Sequence, residues 1–363
     1  MSEKNPLPFA KTQSRAMLLW VVAVLIGLPL LLPSATLATE ILIFAMAALA
    51  CNLLLGYTGL LSFGQGIFFG AGAYCAALLM IHLQLGLFTA LLGAAIAGGF
   101  LALLVGALAI RRTGIYFVML TLAFSQMAYF VAYTLSDWTG GDNGLLSVPR
   151  PEIRLGDTVL LSLADARAFY GFVAVLFLLI FIGARRVIAS PFGSTLMAIR
   201  ENETRASAIG YDTRHFKILV FVLSGAVTGI AGALYAMLLH FVPLSNIDLA
   251  MSENILIMTI VGGTGSLFGS LLGAGSIVLL GDFLSDLWPR WLMLLGVILI
   301  LVVIFMRGGL WGGLASLFEN VRGRRKAALL GDEGEAADFG IAVHRVLRRS
   351  PDVSRWPRRP RPG

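Results

Sequence analysis

The sequence predicts an all-α fold, a polytopic transmembrane helical bundle of about ten membrane passes that includes broken or re-entrant helices. Of the 363 residues, 58% are hydrophobic and only 13% are charged, and the mean hydropathy is +0.87, as is typical of multi-pass membrane proteins. Residues 41–110 contain no Asp, Glu, Lys or Arg, which is enough for three crossings of about 20 residues each. Glycine-rich stretches at 56–66 and 262–265 interrupt apolar runs and indicate broken helices.

The first half of the chain divides into spans at its charges and glycines. Residues 16–39 are uncharged and follow Lys4, Lys11 and Arg15. They predict an uncleaved first span rather than a signal peptide, because the apolar core is long and another membrane segment follows at once. The later breaks and spans are expected as follows: breaks at 56–66 and 82–86, spans at 113–136 and 168–184, and a polar loop between these two spans at 137–167.

The second half predicts one crossing at 218–247 and a last span at 291–306. Between them, residues 254–281 are too few for two full crossings of about 20 residues each. They predict a hairpin with one short or broken arm, hinged at Gly262–Gly265. The positive-inside rule places the N-terminus in the cytoplasm, because twelve of the sixteen Lys and Arg residues before residue 322 then lie inside.

These spans predict three regions: a cytoplasmic N-terminus at 1–15, a transmembrane domain at 16–312, and a basic, disordered cytoplasmic tail at 313–363. The net charge is +7, but residues 322–363 carry eleven Lys and Arg against five Asp and Glu. The positive charge therefore belongs to the tail and does not indicate a nucleic-acid-binding face.

The polar segment, residues 187–217, is the longest polar interruption that has cations at both ends. Ser190 and Pro191 predict a helix start, because the serine oxygen can accept an unpaired amide hydrogen and proline loses nothing at the first helical position. Apolar residues then recur on one helical face, at Phe192, Leu196 and Ile199. A helix this short must lay its apolar face on this chain's own bundle or on another subunit.

A second short helix is predicted within the polar segment. Asn202 is expected to cap its start, and Gly210 is expected to end it in the left-handed conformation that other residues resist. The result is two short helices in an L, either an ordinary amphipathic connector or a docking element.

Hydroxyl and amide side chains near the breaks are candidates for a translocation path. Ser62 and Gln65 flank the first glycine-rich break, Thr121 and Ser125 are four residues apart on one helical face, and Thr264 lies in the hinge. Because hydroxyls in lipid often bond to carbonyls of their own helix, structural packing is the alternative interpretation.

The sequence offers no energy source of its own. Acidic residues stand near the ends of spans, whereas proton- or sodium-coupled carriers commonly hold a carboxylate or histidine partway across the bilayer. No Gly-x-x-x-x-Gly-Lys-Ser/Thr motif for nucleotide phosphates occurs, and the four histidines form no metal-ligand cluster. A membrane enzyme is therefore disfavoured, and energy for transport is expected from a partner that docks on the polar segment. A secondary carrier that works alone is the alternative.

Four stretches together resemble the LivM-type permease family of branched-chain amino-acid ABC transporters. They are GYTGLLSFGQGIFFGAGAY from Gly56, RTGIYFVMLTLAFSQ from Arg112, TGGDNGL from Thr139 and SPFGSTLMAIRENETRASAIG from Ser190. The resemblance covers about residues 16–312 and is less specific for the substrate, because urea and amide permeases look similar.

The resemblance implies a multi-pass permease subunit in the bacterial inner membrane, with both termini cytoplasmic. It also implies as partners two cytoplasmic ATPase subunits that bind the ATP, a second, LivH-like permease, a periplasmic substrate-binding protein and the lipid bilayer, and no cofactor in this chain. The polar segment would couple to the ATPases, through Ala198, Arg200, Glu201, Asn202, Glu203, Arg205 and Gly210. The loop at 137–167 would face the binding protein, through Trp138, Gly140, Gly141, Asp142 and Asn143. The family's Glu-Ala-Ala-x-x-x-Gly loop is matched only approximately, because Thr204 and Arg205 replace the two alanines.

Overall fold

The computed structural model describes residues 9–32, 34–149, 153–155, 158–161, 163, 165–287, 290–305 and 308–313. The tail predicted at 313–363 lies outside the described residues apart from Gly313. The helices are α1 (Phe9–Leu31), α2 (Ala35–Thr58), α3 (Gln65–His82), α4 (Leu87–Ala109), α5 (Ile115–Thr134), α6 (Ser136–Thr139), α7 (Ala166–Ile188), α8 (Pro191–Glu201), α9 (Glu203–Ala208), α10 (Thr213–Leu239), α11 (Leu249–Gly262), α12 (Leu267–Leu287) and α13 (Trp291–Phe305).

In the part of the chain that the structure describes, the strands form two short antiparallel pairs. Strand β1 (Leu145–Leu146) pairs with β4 (Phe241–Val242), and β2 (Ile153–Leu155) pairs with β3 (Thr158–Leu161). Among the described residues, seven helices are long and apolar enough to cross a membrane: α2 to α5, α7, α10 and α12. The predicted all-α polytopic bundle is therefore confirmed.

The breaks predicted from glycines coincide with helix boundaries. Helix α2 ends at Thr58 and α3 begins at Gln65, while α3 ends at His82 and α4 begins at Leu87. The hinge between α11 and α12 lies where it was predicted, with Gly263 at φ +113° and Gly265 at φ +88°. Residues with a Cβ rarely adopt such angles, so the sequence signal for this hinge was specific.

The predicted first span, residues 16–39, does not match a single helix. Helix α1 ends at Leu31, and α2 starts at Ala35 with the Ser34 side chain accepting a hydrogen bond from the Thr36 amide at 3.2 Å. The Ser34 cap fixes the start of a new helix. The uncharged run at 16–39, from which one span was predicted, did not indicate this boundary.

Helix α10 packs against α2, α3 and α4 at the centre of the bundle. The α3–α10 contact brings backbones together, because a Cβ on Gly72 or Gly232 would lie well under 3.0 Å from a carbonyl oxygen of the other helix. Gly225 and Gly229 make similarly close approaches to α4, as the spacing of glycines predicts for a tight bundle.

Candidate functional site

The polar segment folds as the predicted pair of short helices, α8 and α9. Pro191 is the first residue of α8 and Ser190 precedes it, but the predicted serine cap is wrong in detail. The Ser190 hydroxyl donates to the Val187 carbonyl at 2.6 Å instead of accepting an amide hydrogen. Because α7 ends at Ile188, the carbonyls of its last turn lack helical partners, and the hydroxyl satisfies one of them.

The apolar face of α8 lies on this chain's own bundle. Leu196 and Ile199 are buried, and the rings of Phe192 and Phe216 stack with centroids 5.5 Å apart. Helix α8 packs against α2, α7 and α10. Of the two surfaces considered for this face, the structure therefore selects the bundle.

Both predicted caps of α9 are confirmed. The Asn202 Oδ1 accepts a hydrogen bond from the Arg205 amide at 2.9 Å, and Gly210 adopts φ +100° just after the helix. These two residues fix the bend of the polar segment and the end of α9 through local chemistry.

An ion pair connects α9 to α10. The Lys217 Nζ lies 2.5 Å from the Glu203 Oε1, and the side chains are 5% and 39% exposed respectively. The Thr213 hydroxyl donates to the same Glu203 oxygen at 3.2 Å. Glu203, which was expected to belong to the coupling surface, also pairs with Lys217 and ties α9 to α10, while 39% of its side chain stays exposed.

Asp212 begins α10 as its N-cap. Its Oδ1 accepts a hydrogen bond from the His215 amide at 3.3 Å, and its Oδ2 lies 2.6 Å from the His215 Nδ1. The side-chain hydrogen bond with His215 lowers the pKa of Asp212. The carboxylate is therefore held in the charged form that caps the helix.

Arg200 links the polar segment to the end of α2, because its Nη1 donates a hydrogen bond to the Gly56 carbonyl. The Asn52 side chain of α2 bonds to the hinge in the same way. Its Oδ1 accepts a hydrogen bond from the Gly265 amide at 2.9 Å, and the Asn52 Nδ2 donates one to the Ser266 carbonyl at 2.7 Å. The Tyr57 hydroxyl donates to the Gly265 carbonyl at 2.9 Å. The polar segment, the end of α2 and the α11–α12 hinge therefore form one connected junction.

The outer face of the polar segment is exposed. The other expected coupling residues lie on it: Ala198, Glu201, Asn202, Arg205 and Gly210. Large apolar side chains accompany them, with Met197 45%, Ile209 72% and Tyr211 45% exposed. A charged surface with exposed large apolar side chains is suited to binding another protein.

The interior candidates meet at the break between α2 and α3. Gln65 is fully buried; its Nε2 donates to the Ser224 hydroxyl at 3.2 Å, and its Oε1 accepts from the Thr228 hydroxyl at 2.8 Å. The Thr121 hydroxyl accepts from the Phe63 amide at 3.2 Å. Thr121 therefore satisfies a backbone amide that the break leaves without a helical partner, and two hydroxyls of α10 satisfy the Gln65 side chain.

The remaining three path candidates differ in position. The Ser62 hydroxyl accepts from the Gly64 amide at 3.1 Å inside the break. Ser125 is fully buried one helical turn beyond Thr121 on α5. Thr264 is exposed in the α11–α12 hinge, and the structure does not bring it together with the other four.

The loop that begins at residue 137 lies at the opposite end of the bundle from the polar segment. Helix α10 has 27 residues, about 40 Å at 1.5 Å per residue. Near the start of α10, Lys217 forms the ion pair with Glu203 of the polar segment. Just after the end of α10, strand β4 pairs with strand β1 of the loop. The expected binding-protein residues are arranged as follows: Trp138, Asp142 and Asn143 are exposed, Gly140 is half-buried and Gly141 is buried.

Sequence reasoning missed two residues of this arrangement, Asn52 and Lys217. Asn52 is an amide residue inside the uncharged run of 70, and that isolation was a usable signal for a buried polar contact. Lys217 was counted among the inside cations, but nothing in its spacing indicated that it is buried.

A family model described as "Branched-chain amino acid transport system / permease component" matches residues 34–304. The chain is 29% identical over 295 residues to the high-affinity branched-chain amino acid transport system permease protein LivM of Salmonella typhimurium, covering 76% of this chain and 69% of that protein. For LivM of Escherichia coli the identity is 29% over 291 residues, with 75% and 68% covered. For a probable LivM of Methanocaldococcus jannaschii it is 29% over 157 residues, with 38% and 44% covered. No solved structure matches the chain.

Proposed function

Because the chain belongs to the family of permease components of branched-chain amino acid transport systems, we propose that it moves branched-chain or related amino acids into the cell as one subunit of an ABC importer. Separate ATPase subunits supply the energy, a LivH-like second permease completes the pore, and a periplasmic binding protein delivers the substrate.

The observation that carries the proposal is the built outer face of the polar segment. Caps at Asn202 and Gly210 set its shape, and the Glu203–Lys217 ion pair holds it on the bundle. Its exposed Met197 and Ile209 side chains provide a firm docking surface for an ATPase subunit. Motion imposed there reaches α2 and the α11–α12 hinge through Arg200 and Asn52.

The proposed membrane topology has ten passes with both termini cytoplasmic. Helices α1, α11 and α13 join the seven long apolar helices as the further passes. Helix α11 has 14 residues, about 21 Å, which is shorter than the hydrocarbon core of about 30 Å. It therefore serves as the short arm of the predicted hairpin.

The translocated amino acid passes the break between α2 and α3, beside Ser62, Gln65, Thr121 and Ser125. Thr264 moves with the hinge. At the other end of the bundle, the exposed Trp138, Asp142 and Asn143 side chains contact the binding protein.

Reconstitution of the purified chain in vesicles tests the proposal. With ATPase subunits, second permease and loaded binding protein present, we expect leucine uptake that requires ATP. We expect no uptake by the chain alone. Nucleotide-independent uptake by the chain alone would establish the secondary carrier instead, and ATP-dependent uptake of urea without leucine would reassign the substrate class.

A further inference from the structure

Three buried polar side chains surround the place where α3, α5 and the 3-10 helix Leu244–Ile247 meet. Asn246 is 1% exposed, Ser125 0% and Tyr74 6%. Within the described residues, neither amide atom of Asn246 and neither hydroxyl has a hydrogen-bond partner. Burial of unpaired polar atoms is costly, and native proteins contain few of them.

These unpaired atoms contrast with other buried polar groups of the bundle. Gln65, Thr228 and Asn52 are as deeply buried, and the structure provides hydrogen-bond partners for each of them. The same bundle therefore satisfies buried polar groups at other places. The unpaired atoms at this junction call for a functional explanation.

The contacts place the three side chains at one junction. A Cβ on Gly70 would meet the Ile247 backbone, so Asn246 lies beside the middle of α3, and Tyr74 follows Gly70 by one helical turn. Tyr129 on α5, which follows Ser125 by one turn, packs against the cluster of Ala132, Leu244 and Ile247. Helices α3 and α5 both pack on the 3-10 helix.

The starts of two helices lie beside this junction, and groups of this chain already pair with both. The Gly66 amide at the start of α3 donates to the Ser252 hydroxyl of α11 at 2.8 Å. The Leu249 amide at the start of α11, three residues after Asn246, donates to the Asp248 Oδ1 at 2.6 Å. The polar groups that can bind a ligand here are therefore the unpaired side chains.

An apolar cluster adjoins the polar one. Leu244 and Ile247, on either side of Asn246, pack with Ala132 of α5. A ligand with charged groups at one end and a small aliphatic side chain at the other can therefore contact the polar cluster with the first and the apolar cluster with the second.

We infer that Asn246, Ser125 and Tyr74 bind the carboxylate and ammonium groups of the transported α-amino acid, with its aliphatic side chain on Leu244, Ile247 and Ala132. The inference rests on the proposed function and adds to it a subsite in this chain. The Asn246 Nδ2 and the two hydroxyls donate to the carboxylate, and the Asn246 Oδ1 accepts from the ammonium group.

Uptake kinetics of the reconstituted importer test the subsite, with leucine as the substrate. For Asn246→Leu and Tyr74→Phe we expect KM to rise by about tenfold or more, because each loses a hydrogen bond to a charged group. Subunit assembly should stay near that of the wild type. The thermal unfolding midpoint should be unchanged or raised, because the variants remove unpaired buried atoms.

Thr39→Val is the matched control, because Thr39 is fully buried and its hydroxyl bonds to the carbonyl of Ala35 in its own helix. Its KM should equal that of the wild type. Tyr74→Phe removes one oxygen with almost no change of shape. Its KM therefore tests the subsite even if Asn246→Leu does not fold. An unchanged KM in the folded variants would overturn the subsite, whereas a wild-type importer without ATP-dependent leucine uptake would overturn the proposed function itself.

Discussion

Replacement of Gly232 by alanine is expected to prevent the permease from folding stably. The added Cβ would lie well under 3.0 Å from the Phe69 carbonyl oxygen, and this oxygen belongs to backbone that cannot move aside as a side chain can. Overpacking of a tight core commonly costs about 1–3 kcal/mol, and a backbone clash between two central helices belongs at the upper end of that range or above. Gly72→Ala should behave alike, because its Cβ would meet the Gly229 backbone.

The measurement is the yield of monodisperse protein after extraction from the membrane, together with its thermal unfolding midpoint. Gly183→Ala is the matched control, because a Cβ there has nothing within 4 Å. Helix propensity should make this control neutral or stabilising by about 1 kcal/mol. Wild-type yield and midpoint for Gly232→Ala would mean that α3 and α10 do not pack as described.

Removal of the Glu203 carboxylate is expected to weaken both ATPase docking and transport. Glu203→Ala leaves Lys217 as a buried charge without its partner, and breaking a buried pair is strongly destabilising. Because Glu203 is 39% exposed, solvent screening reduces the effect to about 1–3 kcal/mol. The polar segment should then detach from α10 and lose its shape.

A double-mutant cycle measures this pairing. Glu203→Ala, Lys217→Met and the double variant Glu203→Ala/Lys217→Met are compared for ATPase co-purification and ATP-dependent leucine uptake. The double variant should recover part of the loss, because it leaves no buried charge. Glu201→Gln is the control for stability, because Glu201 is exposed on the same segment. Equal losses in Glu203→Ala and the double variant would assign Glu203 to direct contact with the ATPase.

The features that sequence reasoning located correctly depend on local chemistry. Asn202 and Gly210 end or begin a helix by contacts with residues at most five positions away, and Gly263 and Gly265 need only their own backbone freedom. The break before Gln65 was visible for the same reason. Helix boundaries without such markers, as at Leu31, were misplaced.

The features that sequence reasoning missed depend on partners far along the chain. Asn52 bonds to residues more than 200 positions away, and the burial of Lys217 becomes visible only when α9 folds back onto α10. The Ser190 hydroxyl had two local options, and the end of α7 decided between them. Asn246 had no sequence signal at all, because a single amide in a short polar stretch is common.

The proposed coupling to an ATPase requires the polar segment to face the cytoplasm, and cysteine accessibility measures this directly. Cys51 and Cys75 are first replaced by alanine, and single cysteines are introduced at Gly86, Leu146, Ser207 and Ser285. Leu146, which is 62% exposed, is preferable to its neighbour Gly144, where a Cβ would clash with the Val242 carbonyl.

Intact cells are treated with a membrane-impermeant maleimide, and the same cells are treated again after permeabilisation. We expect positions 86, 146 and 285 to react in intact cells and position 207 to react only after permeabilisation. Labelling of position 207 from outside intact cells would contradict the proposed coupling, because an ATPase subunit could not then reach the polar segment.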